Sequence, residues 1–220
     1  MSLRDPVFGL GEHNGFKKAF FSQDFYIIVA GMRPLGDDRV AISVATPQRG
    51  VLSEARRVGR EFDELMNRLG ERAMEENPLL GAFIGLAEIR AWRIRVPRRG
   101  LDVNVVVGAG EGEELFGRVV GVLEGLFRGE IKFGRALREI EGIFSGYGGP
   151  GDGELASHVK AEANSLADGK IRYIKKYLED ENVKRLAEGH GEDRKEAMKR
   201  AFEDDGVGVI GLGDINISVV

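Results

Sequence analysis

Cysteine is absent from the 220 residues. Its absence excludes disulfides, thiolate zinc sites and cysteine nucleophiles, and points to a reducing compartment, so a cytoplasmic location is expected. Histidine is scarce: His13, His158 and His190 are widely separated and none lies in an H-E-x-x-H spacing. Neither a metal site nor a cofactor is expected from them. No G-x-S-x-G elbow and no S-x-x-K motif occurs, so no specific enzyme class is indicated and the chain is read as non-catalytic. No stretch approaches the roughly 20 consecutive apolar residues of a membrane helix, and the N-terminus has no long apolar run. Neither a membrane span nor a signal peptide is read. Glutamine is nearly missing too, at Gln23 and Gln48 only.

Apolar residues make up 42 % of the chain, enough for a real core in one large domain or a domain with a smaller lobe. Charged residues reach 31 %, and arginine outnumbers lysine 22 to 10. Together with the shortage of labile side chains, this matches a heat-adapted protein held by ion-pair networks. Residues 1–108 carry 16 basic and 14 acidic side chains, whereas residues 109–220 carry 16 and 22. Any basic face therefore belongs to the first half, and the overall charge of -4 does not exclude a polyanionic partner.

The segment "DFYIIVAGMR" (24–33), the turn "PLGDD" and the alternating "RVAISVAT" predict a β-hairpin. The following residues place Phe62, Leu65, Met66, Leu69 and Ala73 at helical spacing, with Ser53 as N-cap and Arg60, Glu64 and Arg68 outside. Pro78 ends that helix, and "LLGAFIGL" follows as a loop or short helix. "EIRAWRIRVP" and "LDVNVVVG" predict a second hairpin across an "RRG" turn. Next come an apolar helix with Gly117, Gly121 and Gly125 at every fourth position and a helix with Phe133, Leu137, Ile140 and Phe144 on one stripe. The glycine stripe is a candidate subunit or sheet-packing surface.

"SGYGGPGDG" is the strongest linker signal. The expected division is an α+β nucleic-acid-binding domain over 1–145, a linker over 146–153, and a helical C-terminal region over 154–220 that ends in a Gly-rich strand. "ADG" (167–169) and "EGHGED" should break its helices. The expected fold is α+β: a four-stranded antiparallel sheet from two hairpins separated by a helix, packed with helices.

"VVVGAGEGEELF" has glycine between a strand and a helix, where phosphates bind. It lacks the third glycine of the dinucleotide fingerprint, and Glu111, Glu113 and Glu114 would repel phosphate there. "GVGVIGLGD" lacks the lysine and Ser/Thr of a P-loop. The pairs Asp37-Asp38 and Asp204-Asp205 sit at predicted turns or helix ends and read as structural.

"IRAWRIRVPRRG" (89–100) concentrates five arginines and the only tryptophan in twelve positions. On a strand, Trp92, Ile94 and Val96 would face one way and Arg93, Arg95 and the region of Arg99 the other. If Ala41, Ser43, Asp102 and Asn104 share that second face, it becomes a shallow basic trough. Arginine contacts phosphates and stacks on bases, and aromatics stack sequence-tolerantly, so such a trough suits single-stranded nucleic acid. The candidate contact residues are Arg90, Trp92, Arg93, Arg95, Arg98 and Arg99, with Phe25, Tyr26, Arg33 and Arg39 on the first hairpin. Phe20 and Phe21 are further stacking candidates. "KIRYIKKYL" supplies a second cationic group of Arg172, Tyr173, Lys175 and Lys176. Ion pairing with acidic neighbours explains the same arginines equally well. A nucleotide-binding enzyme and a helical assembly protein stay as alternatives.

The hairpin-helix-hairpin-helix order, with "FYIIVAGMR", "EIRAWRIRVPRRG" and "LDVNVVV", resembles the Thermo-DBP group of archaeal single-stranded DNA-binding proteins, which do not use the OB-fold. The resemblance covers roughly residues 20–145. It implies sequence-independent binding of single-stranded DNA, RNA being a second candidate, in a basic cleft. It also implies homo-oligomerisation through the helical part. Sustained zipper heptads are missing from 154–204, which puts zipper dimerisation in doubt.

Overall fold

The computed structural model describes residues 3–13, 15–76, 93–181 and 183–184. They form an α+β structure with one five-stranded antiparallel sheet in the order β1-β2-β3-β4-β5 and four helices. The strands are β1 (Val7–His13), β2 (Phe16–Gln23), β3 (Tyr26–Gly36), β4 (Arg39–Ala45) and β5 (Asp102–Gly108). The helices are α1 (Arg49–Glu76), α2 (Ala109–Phe127), α3 (Phe133–Ile143) and α4 (Gly153–Glu179). Two compact units are interleaved in sequence: one holds residues 4–55 and 95–170, the other the described parts of 56–94 and 171–184 together with Leu3.

The predicted β3-β4 hairpin is present, turning at Asp37 and Asp38, both in the left-handed region that aspartate tolerates. The predicted strand 101–108 appears as β5, paired with β4. The sheet has five strands where four were expected, and its membership differs. β1 and β2 form an N-terminal hairpin that the sequence pattern does not predict. Conversely, residues 93–100 belong to no strand, so the second hairpin does not form there. The remainder of "EIRAWRIRVP", "LLGAFIGL", the C-terminal Gly-rich strand, Arg90 and Trp92 lie outside the described residues.

One sheet face is the main core. Ala19, Phe21, Ile28, Ala30, Met32, Val40, Ile42, Val44, Val105 and Val107 meet Leu115, Phe116, Val119 and Leu123 of α2 and Leu137 and Ile140 of α3. Gly112 is required at the start of α2, because a Cβ there would overlap the Val40 side chain. Gly117 and Gly121 instead face open space, so the glycine stripe does not pack on the sheet; only Gly125 has a neighbour, Ile131.

The opposite face is covered by the first half of α4. Leu155 and Val159 come within 3.1 and 2.9 Å of where a Gly31 Cβ would sit, and the Phe16 and His158 rings are 6.2 Å apart. Asp152 caps α4: its Oδ1 accepts the Glu154 N–H at 3.0 Å, its own N–H donates to Asn104 Oδ1 at 3.1 Å, and its carboxylate binds the Arg33 guanidinium.

Two local expectations change. α1 starts at Arg49, so Ser53 lies inside the helix, where its hydroxyl donates to the Arg49 carbonyl at 2.8 Å. α4 runs unbroken through "ADG", since Ala163, Ala167, Ile171 and Ile174 keep one buried face at helical spacing. In the other unit, Leu65 and Val183 form a small core with Leu69 and Leu178, while Arg60, Glu64 and Arg68 are exposed as expected.

Candidate nucleic-acid interface

From Arg93 to Gly100 the chain is irregular backbone without a sheet ladder. The Arg95 carbonyl accepts the Phe25 N–H at 3.2 Å, and Leu101 exchanges bonds with Thr46: the Leu101 N–H reaches Oγ1 at 2.9 Å and the Thr46 N–H reaches the Leu101 carbonyl at 3.0 Å. Anchored at both ends in this way, the segment presents Arg95, Arg98 and Arg99 to solvent. In the other unit Arg93 is exposed, and the next residue, Ile94, donates its N–H to Asp63 Oδ1 at 3.3 Å.

The arginines divide by partner. Arg99 pairs with Glu141 of α3 at 2.5 Å. Arg33 binds both Asp152 and Glu154, and Arg39 lies 3.8 Å from Asp37. Those three are neutralised locally. Arg93, Arg95 and Arg98 make no ion pair among the described residues.

The expected sheet-surface trough does not exist. Ala41 and Ser43 are fully buried beneath α4, the Ser43 hydroxyl donates to the Val103 carbonyl at 3.2 Å, and Asp102 pairs with Lys160 at 2.7 Å. At Ala41 and Ser43 the cover of α4 leaves no open sheet face for bases. Phe25 and Phe21 are core residues, and Tyr26 stacks on Phe133 with centroids 4.8 Å apart. None of the three is available for base stacking. Phe20 is half-buried, with the Lys18 ammonium 5.7 Å from its ring.

Beside Arg95 lie three charged groups that the sequence did not single out, Asp24, Arg4 and Lys170, and all of them meet at Asp24. Asp24 sits in the left-handed region at φ 46° in the β2-β3 turn. Burial pushes its carboxyl up, while Arg4, Lys170 and Arg95 pull it down; the net direction is upward. Burial also pushes the Lys170 ammonium down to about 8, against the pull of Asp24. Lys170 follows Ala167 by three residues and precedes buried Ile171, a position at the edge of the apolar face of α4, which was the available signal. Between pH 8 and 10.5 the unfolded chain retains the Lys170 proton that the folded protein releases, so stability rises with pH across that window. Lys170→Met is expected to remove this rise, read as the difference in melting temperature between about pH 7 and pH 9.5.

The second cationic group lies on the last turns of α4 in the other unit. Arg172, Lys175 and Lys176, with Glu179 and Asp180, line an open groove of about 450 Å³. Arg172 and Lys176 are exposed, whereas the Tyr173 hydroxyl is 3.0 Å from that of Tyr177 and is held by it.

The "GAGEGEE" turn is structural in geometry. Gly112 packs on Val40, and the Tyr147 hydroxyl donates to Glu111 at 2.6 Å. No cluster of three or more metal-ligating side chains occurs among the described residues, and no described helix is long and apolar enough to cross a membrane. No family model, no curated protein and no solved structure matches the chain.

Proposed function

We propose that the protein binds single-stranded nucleic acid, DNA above all, without reading its sequence, and carries out no catalysis. The observation that supports this is the pair of exposed, unpaired guanidinium groups on the anchored segment at Arg95 and Arg98, where Arg33, Arg39 and Arg99 all have carboxylate partners. A surface arginine outside ion-pair distance of any described carboxylate, as Arg95 is even with Asp24 acting on it, stays open to phosphate, and its planar head also stacks on bases. With Phe25 and Tyr26 committed to packing, arginine contacts carry the binding and aromatic stacking contributes little in this unit. Arg93, Arg172 and Lys176 are exposed and offer the same chemistry in the other unit. No observation favours the nucleotide-binding alternative: in its glycine-rich turn Gly112 packs on Val40, and Glu111, Glu113 and Glu114 would repel phosphate.

Fluorescence anisotropy with a labelled oligonucleotide tests the proposal. Binding at micromolar or tighter Kd is expected at about 50 mM salt, weakening steeply by about 200 mM as counterions are released. Arg95→Ala with Arg98→Ala should weaken binding about tenfold and reduce the salt slope by roughly 1.4, at about 0.7 per phosphate contact on a single strand. Absence of binding at the lower salt overturns the function. Unchanged affinity of the double variant overturns this site.

A further inference from the structure

β1 stands at the edge of the sheet, with β2 on one side and, among the described residues, no strand on the other. Edge strands are normally protected by proline, lysine, a bulge or brevity, since their outward amides template further pairing. β1 has none of these protections: its seven residues, VFGLGEH, pair with β2 in an unbroken register from Val7↔Ser22 to His13↔Phe16. Nor does its backbone bond to any turn or loop among the described residues. The opposite edge differs, because Gly151 and Asp152 lie against Asn104 of β5.

Side chains along this edge are unusually apolar for a surface. Leu10 is 61 % exposed, the most of any large apolar side chain described. Phe127, 44 % exposed, meets the Phe8 ring at 6.1 Å. Phe8 and Leu10 lie opposite Phe21 and Ala19, two residues of the α2 side of the sheet, so all three apolar groups border the same side of the edge.

The register also settles where the free amides point. His13 and Phe16 flank a two-residue connection, which makes them a hydrogen-bonded pair, and alternation then assigns Gly11, Gly9 and Val7 to bonded pairs with β2. Phe8, Leu10 and Glu12 therefore direct their N–H and C=O groups outward.

We propose that β1 pairs antiparallel with β1 of a second copy of this chain, about a two-fold axis at Leu10, joining two five-stranded sheets into one. The self-match favours a second copy over other occupants. With Leu10 on the axis, Leu10 faces Leu10, Gly9 faces Gly11 and Phe8 faces Glu12, so the exposed leucines cover each other and no like charges oppose. The three outward-facing residues each find the outward-facing residue of the other copy. A parallel pairing would instead set Glu12 beside Glu12. This inference is independent of nucleic-acid binding.

Sedimentation velocity across a micromolar concentration series is the test. The full chain is expected to show a monomer-dimer equilibrium that closes at the dimer. Leu10→Lys, which puts two ammonium groups on the axis, should raise the dimer Kd at least tenfold with an unchanged circular dichroism spectrum. Leu10→Pro, which removes the central outward N–H at an edge position that tolerates proline, should do the same. A wild-type monomer at about 100 μM, a trimer or higher ring, or a dimer that both variants leave intact would each overturn the proposal.

Discussion

Replacing Phe21 with alanine should lower the unfolding free energy by about 3–5 kcal/mol, the usual cost of emptying a fully buried aromatic site. Phe21 is 2 % exposed on β2, flanked by Phe8 of β1 and Ile28 of β3, and belongs to the core that α2 and α3 cover. Strands on both sides hold the backbone at that point, so the neighbouring side chains have little freedom to collapse into the void. The expected fall in melting temperature is on the order of 10 °C for a chain of this size. Denaturant midpoints at constant m-value would measure it. A loss below about 1 kcal/mol would mean that this layer is not the tight core described.

Asp152→Ala is expected to cost about 2–4 kcal/mol, because it removes a helix cap and an ion pair together. The carboxylate caps α4 through the Glu154 N–H and also holds Arg33 of β3, so one side chain joins the sheet to the helix that roofs it. The Asp152 side chain is 9 % exposed, which keeps solvent from replacing these bonds. Asp152→Asn separates the two roles: the amide oxygen retains the cap, and the charge is lost. Burial by itself would raise the Asp152 carboxyl, but the Arg33 guanidinium and the N–H groups of Glu154 and Leu155 outweigh it and hold the group below its ordinary 3.8. The unfolded chain then takes up the proton first on acidification. Asp152 therefore contributes stability that is complete above pH 3.8 and disappears as pH falls through the lower folded value. An acid-unfolding curve of Asp152→Asn should lack that component. Superimposable curves for the wild type and the variant would remove Asp152 from this role.

The missed hairpin had a signal. Asn14-Gly15 is the strongest two-residue hairpin dipeptide, and it is flanked by Phe8 and Leu10 before it and Ala19 and Phe21 after it, each pair two residues apart as in a strand. Its two glycines, Gly9 and Gly11, made the first strand unconvincing from propensity alone. The Phe20 ring lies across Gly9, filling from β2 what that strand lacks; a Cβ at Gly9 would overlap it. Residues 93–100 show the reverse error. Their alternation resembled a strand, but alternation reports only a preference to be extended, and Pro97 has no N–H to donate to a ladder.

Read alone, the chain determined the elements whose pattern is local: the β3-β4 hairpin, the apolar stripes of α1 and α3, and the alternation of β5. Periods of 2 and 3.6 residues express how one segment divides its own side chains between core and water. Tertiary structure decided which arginines are free and which sheet face is open, since both depend on groups distant along the chain. Arg33 meets Asp152 across 119 positions, and Arg99 meets Glu141 across 42. Small residues at Ala41 and Ser43 fit a bare trough and a close-packed helix equally well; placement of α4 over them selected the second and moved the free positive charge to the anchored segment at Arg95 and Arg98.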